Sequence, residues 1–248
     1  MSYFRDFPII EYKFGQEATP DLFRNIAVYA DVIDQVRNSV TTYQDYQVLP
    51  DERPDQASYN IYGSVNYYWT FYLMNPHLRE RGWPLSQQTA FEKATKDYNI
   101  RVLTTRTKLT DRFKIGQTVS GNVSGHTGKI IHRKLDLGQL YIASNTGAFT
   151  AGETIQSTNS SGVVETIVLH STELQINAAH HYENASKETV DIDPEVGPGA
   201  GITEVTWLER LIAQNDELRQ IKVIRPNNIR QVSLSLIHIS EPTRQIVI

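Results

Sequence analysis

An internal repeat constrains the fold of this chain more than any other feature. Residues 113–131, FKIGQTVSGNVSGHTGKII, align with residues 149–168, FTAGETIQSTNSSGVVETIV, so that Gly116 matches Gly152. In both copies β-branched residues flank a glycine- and serine-rich centre, a pattern typical of two strands joined by a tight turn. The repeat therefore predicts two hairpins that close on each other in a small β-module.

The sequence on either side of the repeat has a different texture, with more aromatic and charged residues. We therefore predict an α+β fold in which residues 1–100 and 176–232 form one core. A β-rich repeat module, residues 101–175, is predicted to be inserted between these two parts.

Several local signals predict elements of that core. Residues 43–49, YQDYQVL, alternate like a strand. A helix is expected from Arg53-Pro54-Asp55 to a stop at Gly63, and a second helix should follow with Ser64 or Asn66 as its cap.

The other expected elements lie further apart. Residues 19–40 are predicted to form a helix, although their β-branched content leaves a strand open for the first half. Helices are also expected after Ser86 and over 203–219, and a short strand is expected before Pro226.

Aromatic residues crowd the segment YNIYGSVNYYWTFYLMN, residues 59–75. A hydrophobic core, a protein–protein contact and a carbohydrate platform would each use such side chains. The sequence alone leaves these three roles open. The candidate interface or core aromatics are Tyr62, Tyr67, Tyr68, Trp69, Phe71 and Trp83.

Composition narrows the classes of partner. The 24 Lys and Arg residues are outnumbered by 28 Asp and Glu residues, which disfavours nucleic acid and anionic membranes as partners. Cysteine is absent, so disulfides and thiolate chemistry are excluded, and the N-terminus does not resemble a signal peptide. We expect a protein made in the cytoplasm.

No motif predicts catalysis, a cofactor site or a metal site. His180 and His181 are the most suggestive pair, but neighbouring residues of a strand point to opposite faces, so we expect them not to share a metal ion. A hydrolase that uses either histidine is disfavoured.

Five segments taken together resemble one family: DLFRN, ERPDQASYNIYGSVNYYWTFYLMN, GWPLS, HHYENA and NDELRQIKVIRP. They resemble the small baseplate wedge protein of contractile-tailed, T-even-type phages, which clamps adjacent wedges together. The resemblance covers residues 1–100 and 176–232. Residues from about 43 to 75 are also similar to a LysM-type unit, with Trp69 in its second helix.

The resemblance implies a structural, non-catalytic virion protein of the tail baseplate, with other baseplate wedge proteins as its partners. The alternative is a peptidoglycan-binding module of a tail-associated protein, with a possible glycan contact. Two departures bear on this interpretation. Residues 101–174 have no counterpart in the short form of the family, and the family's C-terminal helix is expected to be missing.

The end of the chain has a separate explanation. LSLIHISEPTR, residues 234–244, is the peptide expected from translation of a transposase adapter used in DNA library preparation. We therefore predict that residues 233–248 are a sequencing artefact, and we expect a different C-terminal sequence in the natural protein.

Overall fold

The computed structural model describes residues 9–15, 19–24 and 41–238. They divide into two compact units. The core unit is formed within residues 1–86 and 215–248, and the barrel unit is residues 87–214. Helices and strands both contribute throughout, so the predicted α+β class is confirmed.

The strands of the described residues are β1 (Ile9–Tyr12), β2 (Asp21–Arg24), β3 (Tyr43–Gln47), β4 (Arg101–Thr105), β5 (Thr118–Gly121), β6 (Thr127–Lys134), β7 (Gln139–Ala143), β8 (Thr154–Thr158), β9 (Val164–Leu174), β10 (Ala179–Glu183), β11 (Thr189–Val190), β12 (Thr203–Thr206) and β13 (Gln220–Ile224). The α-helices are α1 (Pro54–Tyr62), α2 (Trp69–Met74), α3 (Pro76–Arg81), α4 (Gln87–Asp97), α5 (Trp207–Glu217) and α6 (Pro226–His238). Short 3₁₀ turns cover Val65–Tyr67 and Gln175–Asn177.

In the core unit, two strands far apart in sequence form one antiparallel sheet. Strand β3 pairs with β13 from Tyr43 opposite Ile224 to Gln47 opposite Gln220. Helices α1, α2 and α6 supply apolar side chains to the same buried clusters as this sheet. The order of elements is therefore strand, two helices and, after the barrel unit, the second strand.

The turn between α1 and α2 follows the sequence signals. Pro54 begins α1 and Gly63 ends it with a φ of 68°, a left-handed conformation that glycine adopts without steric cost. The hydroxyl of Ser64 then accepts a hydrogen bond from the Asn66 N–H. The predicted helix stop and the Ser64 cap are confirmed, but the second helix is split into a 3₁₀ turn and α2.

Asn75 attaches the end of α2 to the distant strand β13. Its amide nitrogen donates to the carbonyl oxygens of Phe71 and Lys222, both at 2.8 Å. Its amide oxygen accepts from the Lys222 N–H, also at 2.8 Å. Because the side chain pairs with both main-chain groups of Lys222, it replaces a neighbouring strand at that point of the sheet edge.

The barrel unit contains a closed six-stranded barrel in the order β4-β7-β6-β5-β8-β9. Hairpin β5–β6 comes from the first repeat and β8–β9 from the second, and the two hairpins join where Val119 lies opposite Ser157. The predicted strand–turn–strand form of each repeat is confirmed. The interior is filled by Leu103, Leu109, Phe113, Val119, Ile130, Leu140, Ile142, Phe149, Ile155, Ile167 and Leu169.

A buried carboxylate from the second repeat closes the turn of the first. Glu153 accepts hydrogen bonds from the N–H groups of Val123, Ser124 and Thr150 and from the Ser124 hydroxyl. Gly121 leaves room for this carboxylate, since a Cβ there would lie 2.5 Å from its Oε2 atom. The repeats are therefore joined by side chains as well as by strands.

Two predicted helices begin differently in the structure. The helix expected from 203 begins at Trp207, because residues 203–206 pair with β10 as strand β12. For the first half of residues 19–40 both a helix and a strand were left open, and Asp21–Arg24 is a strand paired with β1. Residues 25–40, the rest of that prediction, lie outside the described residues.

The ends of the core segments also differ from expectation. Helix α6 begins at Pro226, where the C-terminal helix was expected to be missing, and the buried side chains of Ile229 and Val232 join the core. The helix reaches His238, and residues 239–248 lie outside the described part of the chain. The compact units meet in sequence at 86/87 and 214/215. The predicted module boundaries at 101 and 175, and the adapter origin of the tail, stay predictions.

Candidate interaction surfaces

The six predicted aromatics lie in or against the two buried clusters of the core unit. Trp69 and Phe71 are 4% and 0% exposed, and the other four are half-buried. Tyr62 lies between Tyr67, with ring centroids 5.7 Å apart, and Phe71, at 6.1 Å. Trp83 packs against Phe71 in a tilted arrangement, with ring centroids 5.6 Å apart. The burial of these rings favours the core role over a platform.

Two of these aromatics, Tyr62 and Trp83, have polar tips that are bonded inside the protein. The Tyr62 hydroxyl donates to the Ile224 carbonyl at 3.0 Å, and the Trp83 indole N–H donates to the Glu52 carbonyl at 2.7 Å. Burial raises the pKa of Tyr62 above its ordinary value, so the ring stays neutral. Each tip links the aromatic cluster to a different part of the backbone.

Glu52 organises the loop that leads from β3 into α1. Its buried carboxylate accepts from the Tyr46 hydroxyl at 2.9 Å, the Leu49 N–H at 2.9 Å and the Asn60 amide at 2.8 Å. Burial, together with these contacts to Glu52, raises the pKa of Tyr46 to about 12. The four groups fix the loop as one hydrogen-bonded unit.

An open depression lies beside that loop. It has a volume of about 580 Å³, and Leu49, Asp51, Asp55 and Tyr59 are among its lining residues. Tyr59 is 61% exposed, unlike the other aromatics of the 59–75 segment, which are buried or half-buried. It is the aromatic of that segment with the most surface available to a partner.

Among the described residues of the core unit, a group of exposed apolar side chains lies on and beside the hairpin β1–β2, which we call the arm. Ile9, Tyr12, Phe14, Leu22 and Phe23 are between 41% and 66% exposed. The Phe14 ring touches Tyr12 edge-on at 4.9 Å and Phe23 at 5.6 Å. The sequence pattern did not identify these aromatics as candidates.

The arm has the features of a surface that is covered in an assembly. A two-stranded hairpin is marginally stable alone, and neither strand pairs with a third among the described residues. Grouped exposed apolar side chains of this size are typical of protein–protein contacts. Such a pattern, apolar residues on a lone hairpin, is the signal in the sequence that could have found it.

The histidine pair corrects a prediction. Ala179 lies opposite Thr206 and His181 opposite Val205, so His180 is an extra residue in β10. This β-bulge turns the two rings toward each other, and their Nδ1 atoms are 2.9 Å apart. The expectation that they point to opposite faces is wrong, because the strand alternation is broken at His180.

Across residues 9–15, 19–24 and 41–238, no cluster of three or more His, Asp or Glu side chains has the arrangement of a metal site. Within the same ranges, every helix is too short or too polar to cross a membrane.

Comparison with known proteins gives a family match for part of the chain. Residues 8–104 match the family model described as base plate wedge protein 53. The match supports a phage baseplate wedge protein. It includes the arm, the loop around Glu52 and all six predicted aromatics. No curated protein matches the chain.

The family match supports a structural role in the baseplate, association with other baseplate proteins and a location in the virion tail. It favours a structural protein over an enzyme. Among the described residues of the matched segment, the arm groups five exposed large apolar side chains, so it is the first candidate for such an association.

Proposed function

We propose that this baseplate wedge protein clamps adjacent wedges together, and that the arm makes one of the contacts. The observation that supports this is the exposed apolar surface of β1–β2, which falls within the family-matched residues 8–104. Burial of Phe14 and Phe23 against a neighbouring subunit would contribute roughly 25 cal/mol per Å² of apolar area removed from water. We propose that the baseplate is assembled in the host cytoplasm.

The core unit is proposed to be LysM-like and of the T-even type. Strand β3, helices α1 and α2, and strand β13 form a strand–helix–helix–strand arrangement, which supports the likeness. The second strand comes from more than 140 residues after α2, because the barrel unit intervenes in sequence. In this proposal the barrel unit is an insertion that decorates the baseplate or contacts another chain.

The peptidoglycan-binding alternative has less support. A sugar-binding platform needs exposed aromatic faces, whereas Trp69 and Phe71 are buried and Tyr62 and Trp83 have their polar tips bonded internally. Tyr59 is the one strongly exposed aromatic between 59 and 75. Co-sedimentation with purified peptidoglycan tests this alternative directly, and retention that is lost in Tyr59→Ala would revive it.

The clamp is tested by size-exclusion chromatography with light scattering on the full chain, alone and mixed with the other wedge subunits of the same phage genome. We expect a stoichiometric complex that the double variant Phe14→Ser/Phe23→Ser weakens at least tenfold. The matched control is Ile115→Ser, which removes a 62% exposed apolar side chain from the barrel unit. An arm variant that assembles as well as the wild type would contradict the assigned contact.

A further inference from the structure

His180 and His181, which lie at the β-bulge, belong to a hydrogen-bonded network of four side chains. The Arg210 Nη1 atom lies 2.6 Å from His180 Nε2, the two histidine Nδ1 atoms are 2.9 Å apart, and His181 Nε2 lies 2.9 Å from Glu183 Oε1. Arg210 is in the first turn of α5, and the other three residues are in β10. This network of side chains therefore connects the start of α5 to β10.

The chemistry of the end groups fixes the position of every proton. A guanidinium only donates hydrogen bonds, so His180 Nε2 accepts and the ring holds its proton on Nδ1. His181 Nδ1 then accepts, so the His181 proton is on Nε2, from which it is donated to the Glu183 carboxylate. This is the one assignment in which all three contacts are hydrogen bonds, and both imidazoles are neutral in it.

The groups around His180 are mostly cationic. Lys134 in β6 donates to the His180 carbonyl at 2.9 Å and lies 5.0 Å from the centre of the Trp207 ring. Trp207, one turn before Arg210, meets the His180 ring edge-on at 4.5 Å. Burial lowers the pKa of Lys134, and the charge of Asp136 opposes this shift. A metal cation is disfavoured here, because Lys134 and Arg210 repel it and Arg210 leaves Nδ1 of His180 protonated.

We propose that the network Arg210–His180–His181–Glu183 is an acid-sensitive latch, which holds the first turn of α5 on β10 while both histidines are neutral and opens when His180 is protonated. A further proton on His180 would fall on Nε2 and face the Arg210 donor. This event replaces a hydrogen bond with two opposed donors.

The electrostatics give the direction of the pH effect. Burial, followed by the charges of Lys134 and Arg210, lowers the pKa of His180 to about 4 from an ordinary value of 6.5. Between those values the unfolded or opened chain binds more protons than the latched one, so the latch weakens as the pH falls from 6.5 toward 4. Above pH 6.5 its contribution is complete.

Nitrogen NMR of the full ¹⁵N-labelled chain tests the proton assignment. At pH 7 we expect His180 as the Nδ1–H tautomer and His181 as the Nε2–H tautomer. An Nε2–H tautomer at His180, or a charged His180 ring at pH 7, would overturn the latch.

Hydrogen exchange at pH 7 and pH 5, corrected for the intrinsic pH dependence of exchange, tests the opening. We expect roughly a tenfold rise in opening of amides 207–212 in the wild type, from the pKa difference. His180→Gln has no titratable ring at this position, so we expect it to lose the rise in opening. His132→Gln changes an exposed histidine that is not part of the network, and we expect it to keep the rise. An equal rise in His180→Gln and the wild type would refute the latch.

A second variant keeps the test decisive if His180→Gln fails to fold. Arg210→Gln keeps a side-chain N–H donor for His180 but removes a positive charge that opposes protonation of the His180 ring. We expect a smaller rise in opening between pH 7 and pH 5 than in the wild type. A rise equal to that of the wild type, or larger, would contradict the latch.

Discussion

The core unit and the barrel unit differ in how their buried parts are brought together. The core unit joins segments far apart in sequence, with aromatic rings around Phe71 and a neutral amide, Asn75, bonded to Lys222. The barrel unit is built from neighbouring hairpins, has an aliphatic interior, and uses a buried carboxylate, Glu153, to join its repeats. The core unit thus joins its distant strands β3 and β13 through packed rings and Asn75, whereas the barrel unit links its two repeats through hydrogen bonds to Glu153 as well as through an apolar interior.

Phe71→Ala should produce the largest effect, because the ring is fully buried between Tyr62 and Trp83. We expect a loss of about 3–5 kcal/mol in the free energy of unfolding, from lost burial and the cavity left behind. Urea denaturation followed by tryptophan fluorescence measures it. Tyr59→Ala, at a 61% exposed position, is the control and should change stability by about 0.5 kcal/mol or less. Equal losses of stability in Phe71→Ala and Tyr59→Ala would show that packing of the Phe71 ring does not stabilise the core unit.

Glu153→Ala should have the next largest effect, about 2–3 kcal/mol, because three N–H donors lose a charged acceptor inside the barrel. Chemical denaturation at pH 7 measures this loss, and Glu153→Gln separates charge from shape. A loss under about 0.5 kcal/mol would show that the carboxylate does not join the repeats.

The same carboxylate predicts a pH dependence. Burial alone would raise the pKa of Glu153, but hydrogen bonds from Ser124 and Thr150 hold it below its ordinary value of 4.5. Glu165 has a pKa lowered in the same way, chiefly by the Phe113 N–H. A depressed carboxyl pKa stabilises the fold above pH 4.5, and this contribution is lost as the pH falls below that value. We expect Glu153→Gln to reduce the loss in the free energy of unfolding as the pH falls below 4.5. A pH dependence equal to that of the wild type would contradict this role of Glu153.

Asn75→Ala should cost about 1–2 kcal/mol, the smallest of these losses, because it leaves both main-chain groups of Lys222 without their side-chain partner, whereas the Phe71 carbonyl keeps its bond from the N–H of residue 75. Hydrogen exchange at Lys222 should increase together with the loss of stability. Asn66→Ala, at an exposed asparagine, is the control. A stable variant with a protected Lys222 amide would show that packing alone holds β13 in place.

The sequence predicted much of the local structure but little of the candidate contact surface. The stop at Gly63 and the hairpins of both repeats follow from turn chemistry that acts over a few residues. The start of α5 was predicted four residues too early, because residues 203–206 pair with β10 as strand β12. The arm was missed because exposure of Phe14 and Phe23 depends on what surrounds them, which periodicity does not reveal.

The sequence by itself determined the α+β class, the paired hairpins and the family segments, because propensity, turn residues and the repeat act locally. Only the tertiary structure decided which aromatics are buried, since Trp69 and Phe71 owe their burial partly to a strand some 150 residues away. It also decided that His180 and His181 meet, because one extra residue in β10 reverses the alternation of a regular strand. Contacts between distant segments are set by packing, and a local pattern holds no information about them.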